Sequence, residues 1–118
     1  MKDIKTTLLS LEHSKFRSGF HLTKKEKEYV RERGMNIVKE HALAFLTDRI
    51  KPEAIPNDGK QTPYRGHPVF KAQHATACCC RGCIYKWHKI KKNKELSNDE
   101  INYLLELIMA WIEKEMEN

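Results

Sequence analysis

The chain has 118 residues, with 22 Lys and Arg against 16 Asp and Glu, a formal net charge of +6, and 40% hydrophobic residues. That length suits one compact domain, and no apolar run approaches the roughly 20 residues of a membrane-crossing helix, so no membrane role is expected. Met1 to Leu11 lacks the continuous apolar segment and small-residue cleavage site of a secretory signal. The expected compartment is therefore the cytoplasm, where thiols stay reduced.

Helical periodicity dominates, with no strand-like alternating pair and no internal repeat, so the predicted fold is all-α, a single domain over residues 1–118. It should contain about four to five helices, a long polar loop and a Cys/His segment. Residues 1–15 are read as an N-terminal segment able to stay flexible. Thr23 and Glu26 form a T-x-x-E capping box, predicting a helix from Lys24 to about Arg33 that Gly34 ends in a left-handed conformation. Asn36 is then placed to cap the next helix, whose apolar stripe is Ile37, Val38, Ala42, Phe45, Leu46 and Ile50.

From Lys51 to Gly66 the composition turns to Pro, Asn, Asp and Gly. Loops of more than about 12 residues are commonly functional or disordered, so this one is a candidate wall of a site. Asn57-Asp58-Gly59-Lys60-Gln61-Thr62-Pro63 lacks the spacing of a phosphate-binding P-loop, which argues against nucleotide hydrolysis by that route. Pro68 suits the first turn of a further helix, which is expected to break or bend at Gly82. Ser97 and Glu100 form a second capping box, starting a helix to about Met116 with the stripe Ile101, Leu104, Leu105, Ile108, Trp111 and Ile112.

All four cysteines and two of the six histidines fall between His74 and His88. Thiolate and imidazole are the donors that zinc selects, and Cys80-Arg81-Gly82-Cys83 sets two sulfurs on one tight turn. His88 follows Cys83 at a spacing found in small zinc modules, and His74 completes a Cys2His2 set with Cys79 as the substitute ligand. The competing interpretation makes the cysteines small buried hydrophobes and the histidines ordinary hydrogen-bonded side chains. An iron–sulfur cluster ranks below zinc because the usual wider ligand spacing is missing. No Asp or Glu lies inside the segment, so a catalytic base would have to arrive through folding, with Asp58 and Glu95 nearest in sequence. A thiol enzyme built on Cys80 or Cys79 is a further alternative.

Arg81, Lys86, Lys89, Lys91, Lys92 and Lys94 form a basic run without an acidic residue, followed from Glu95 by seven acidic residues against Lys114 alone. Such segregation suits contact with nucleic acid or another acidic partner, and a solvated lysine loop is the plainer alternative. Lys86, Lys89, Lys91 and Lys92 are the candidate backbone contacts, while Arg17, His21, Lys60, Arg65 and His67 can line an adjoining anion-binding surface with Phe16.

Phe16-Arg17-Ser18-Gly19-Phe20-His21-Leu22, Ile55 through Pro63, Arg65-Gly66-His67-Pro68-Val69-Phe70 and the cluster through Trp87-His88 together resemble the family catalogued as domain of unknown function 4186. The resemblance runs from about Phe16 to Met116. It implies a small stand-alone cytoplasmic protein of bacterial or phage type and brings no established activity with it. The functional expectation from the residues is a zinc-stabilised binding module that contacts nucleic acid or another polyanion. The alternatives are a metal- or thiol-dependent enzyme acting on a small or nucleotide-like substrate, and an assembly protein that dimerises through its C-terminal helix.

Overall fold

A computed structural model describes residues 2–118, which form seven helices and no strand. They are α1 (Ile4–Glu12), α2 (Lys15–Ser18), α3 (Lys24–Arg33), α4 (Met35–Arg49), α5 (Pro68–Ala75), α6 (Arg81–His88) and α7 (Asn98–Met116). Both capping boxes are present, Thr23 with Glu26 opening α3 and Ser97 with Glu100 opening α7. Each satisfies two backbone amides that the first helical turn leaves without partners.

The extra helices have two sources. Within the N-terminal segment, Ile4–Glu12 and Lys15 are helical, because Asp3 caps α1 by accepting from the amides of Lys5 and Thr6, and Ser14 caps α2 by accepting from Arg17. Met1, the first residue of that segment, lies outside the described residues. The helix beginning at Pro68 also ends well before Gly82. Thr76 terminates α5, the amide of Cys78 donates to the carbonyl of Gln73 at 2.7 Å, and that of Ala77 donates to His74 at 3.4 Å. This is the Schellman pattern, whose left-handed residue is usually Gly. Here Ala77 takes the role at φ 57°.

The α3–α4 junction differs from expectation in detail. Gly34 adopts φ 86° and ψ 152°, an extended positive-φ conformation all but reserved for glycine, and it is itself the boundary residue. Asn36 lies inside α4 rather than capping it.

The core is organised around α7, which packs on α1, α4 and α5. Leu104, Leu107, Ile108 and Ile112 are fully buried against the α4 ridge Val38, Ala42, Leu46 and Ile50. That spacing of four is the ridge by which helices interlock. No helix among the described residues is long and apolar enough to cross a membrane. With α5 held on α7, the turn leaving α5 and the start of α6 are placed beneath the long polar loop, and this is where the cysteines fall.

Candidate metal centre

The Schellman turn reverses the chain after α5, so Cys78, Cys79 and Cys80 occupy a tight connection rather than a helix. Cys78 points inward, is fully buried, and has its thiol pushed up to about 12 by that burial. A thiol so reluctant to ionise is a core side chain and a poor ligand. Cys80 is the N-cap of α6, and its sulfur accepts the amide of Cys83 at 3.4 Å. The Sγ atoms of Cys79, Cys80 and Cys83 all lie within 4.8 Å of one another, a group able to hold a metal ion.

The loop from 51 to 66 forms the wall over this cluster. Asp58 accepts the amides of Arg81 and Gly82, one on each carboxylate oxygen at 3.0 Å, so it caps α6 alongside the Cys80 sulfur. Gln61 steadies Asp58 at 2.6 Å, and the Thr62 hydroxyl donates to the Cys79 carbonyl at 2.8 Å. Gln73 reaches from α5 to the Cys78 carbonyl at 3.2 Å.

A cation completes the cluster from far away in sequence. Arg17, 8% exposed on α2, donates to the Cys83 sulfur at 3.1 Å, the Cys79 sulfur at 3.6 Å and the His74 carbonyl at 2.7 Å. Hydrogen bonds from the Cys79 and Cys80 thiols, against the opposing effect of burial and with help from Arg17, hold Cys83 far below the usual thiol range. The complementary effect raises Cys79, through its bonds with Cys80 and Cys83 and through burial. The arrangement thus favours the thiolate form at Cys83, the most exposed of the three, over Cys79 and Cys80.

The two histidines read as ligands are engaged elsewhere. His74 directs Nε2 to the carbonyls of Thr62 at 3.1 Å and Pro63 at 3.2 Å, with its ring stacked 4.0 Å from Tyr64. His88 donates from Nε2 to the Thr76 carbonyl at 2.8 Å, which leaves its buried Nδ1 an acceptor without a partner. Burial lowers both rings below the ordinary histidine range and keeps them neutral. Neither joins the three sulfurs.

The chain belongs to the DUF4186 family. The model of this family, described as Domain of unknown function (DUF4186), matches residues 5–113, which takes in every helix that builds the cluster. No solved structure matches the chain.

The other residues singled out for anion binding are dispersed within this DUF4186 chain. His21 is exposed and faces Glu115 at 3.1 Å, while Lys60 and Arg65 are exposed on the loop. His67 caps α5 by accepting the amide of Val69 at 3.0 Å, so its other nitrogen carries the proton toward His41, also 3.0 Å away. Burial, with the neighbouring His41, lowers His67 to about 4. Lys86, Lys89, Lys91 and Lys92 are exposed and make no ion pair among the described residues. Arg81 leaves that surface. It is 4% exposed and donates to the carbonyls of Ile50, Lys51, Pro52, Lys91 and Lys94. Lys94 pairs with Glu100.

Three contributors escaped the sequence reading: Arg17 as partner to the chain's own sulfurs, Asp58 as a helix cap, and His41. Only Asp58 carried a local signal, the Asn-Asp-Gly turn that suits a side chain bonding to backbone.

Proposed function

We propose that the chain is a zinc-binding module whose ion is held by the thiolates of Cys79, Cys80 and Cys83. The observation that carries this is the mutual approach of the three sulfurs within 4.8 Å. Zinc–sulfur bonds of about 2.3 Å place tetrahedral sulfur ligands ~3.8 Å apart, so closing on the ion takes movements under ~1 Å. Three thiolates around a divalent ion leave one negative charge, which the Arg17 guanidinium balances. The same compactness favours one ion over an iron–sulfur cluster, whose cysteines bind separate irons and stand further apart.

The test is elemental analysis with native mass spectrometry on protein purified without chelator, beside a Cys80→Ser, Cys83→Ser double variant. One zinc per chain, lost in the variant, is expected. A metal-free parent grown with ample zinc and iron would overturn the reading.

A metal-dependent enzyme is the second reading, favoured by the donor count. Among the described residues no His, Asp or Glu joins the three sulfurs, and an ion with three protein ligands keeps a position for water or substrate. Cobalt substitution separates the two, since a visible spectrum that shifts on adding small anions or thiols reports an open position.

A further inference from the structure

Beside the metal centre lies a set of aromatic rings that the zinc reading does not use. Tyr64 lies nearly parallel to His74, with centroids 4.0 Å apart and planes 6° apart, and Phe20 lies parallel beside them, 5.6 Å from His74 and 6.3 Å from Tyr64. His74 is fixed at its Nε2 edge by two carbonyls, so Tyr64 is a ring backed on one face by a rigid support. It nevertheless remains 58% exposed. Phe16 meets Phe20 edge-on at 5.2 Å and is 54% exposed. Burying such rings is the ordinary outcome of folding, and here two stand in solvent with their backing built.

Cations adjoin both exposed rings in sequence, while the acidic groups that share a pocket with Phe20, Glu12 and Glu115, are paired with Lys114 and His21. Lys15 precedes Phe16, Arg65 follows Tyr64, and Lys60 sits on the same loop, all exposed and without an acidic partner among the described residues. The only acidic residue between Pro56 and Ala75 is Asp58, already spent on the amides of Arg81 and Gly82. Aromatic faces interleaved with unpaired cations suit a ligand of planar rings joined by anions. Two exposed rings that both border Phe20, each with a cation next to it in sequence, suit successive bases rather than a single nucleotide. A duplex keeps its base faces stacked internally and cannot offer them.

We infer that this face binds single-stranded nucleic acid, with one base stacked on Tyr64, a neighbouring base against Phe16, and Lys15, Lys60 and Arg65 on the phosphates.

The decisive comparison uses fluorescence anisotropy with a labelled oligothymidylate of about 12 nucleotides and an abasic strand of the same length, which keeps the phosphates and removes the bases. The as-purified protein should bind the base-bearing strand at least about five-fold more tightly than the abasic one. Tyr64→Ala should erase that preference and Tyr64→Phe should keep it, while Lys60→Ala and Arg65→Ala should weaken both strands alike. Phe16→Ala supplies an independent loss should Tyr64→Ala disturb the loop. Equal affinity for the two strands, no binding to either at low salt, tighter binding of duplex, or unchanged preference in folded Tyr64→Ala and Phe16→Ala variants would each overturn the inference. Metal content measured on the same samples keeps this outcome separate from that of the zinc reading.

Discussion

Replacing Arg17 with Met removes the cation from the sulfur cluster while keeping most of the side chain's bulk. At 3.1 Å, the separation of Arg17 from the Cys83 sulfur, two unit charges attract by about 5 kcal/mol at an effective dielectric of 20. Most of that is offset by desolvation of the guanidinium, and a charge-assisted hydrogen bond contributes a net ~1.5–3 kcal/mol. Loss of an outer partner to a metal ligand costs about 10- to 100-fold in affinity, the same range expressed as a ratio. Competition against a chromophoric chelator at fixed pH should therefore show zinc affinity falling about 10- to 100-fold in Arg17→Met, with Arg17→Lys intermediate because a single ammonium nitrogen lacks the planar fork that presents separate nitrogens to Cys83 and to Cys79 with the His74 carbonyl. Rising pH should recover part of the loss, since the missing guanidinium lets the Cys83 thiol pKa climb and alkali restores the thiolate. An affinity within two-fold of the parent at every pH would refute the electrostatic role assigned to Arg17.

Ala77 holds a left-handed conformation that glycine adopts freely, so Ala77→Gly should stabilise the fold by about 1 kcal/mol in denaturant unfolding, and a loss instead would mean that its buried methyl matters more than its backbone. Asp58→Ala strips two amides of their acceptor at the start of α6 and should destabilise by ~1–2 kcal/mol, with amide exchange in the first turn of α6 accelerating first. Because folding lowers His67 from 6.5 to about 4, the unfolded chain binds the extra proton, so His67's contribution is complete above pH 6.5 and drains away as pH falls toward 4. For a half-buried ring that contribution is ~1–2 kcal/mol after solvent screening, and His67→Asn, which keeps a capping side chain, should flatten the stability curve over that window. An unchanged slope would place the titration elsewhere.

Features decided within one helical turn were legible in the sequence. Thr23 with Glu26 and Ser97 with Glu100 located two helix starts because the capping bonds span three residues. The break after α5 was not, since the signal for such a turn is glycine, and Gly82 drew attention while Ala77 made the turn. Cys80 and Cys83 were readable as a pair because the same short turn holds both. Spacing alone could not tell where a ring nitrogen points. His74 and His88 lie at ligand distances along the chain, yet carbonyls of Thr62, Pro63 and Thr76 take their Nε2 atoms. Arg17 was placed among anion binders for its charge, and its guanidinium donates to the chain's own sulfur. That contact spans 66 positions, beyond the reach of any local pattern.

Arg81 gathers carbonyls from the end of α4 and from the strand of chain leading into α7, and the amide of Leu96 adds a bond to the Lys51 carbonyl at the same crossing. Topologically this is a knot of hydrogen bonds at the neck of a bag, with the cysteine segment and its covering loop inside. An ion entering or leaving need not untie the neck, because Cys83 already faces outward from the bag. Metal exchange should accordingly proceed without global unfolding, so that chelator removes the ion faster than the amides of Leu96 and Ile84 exchange with solvent.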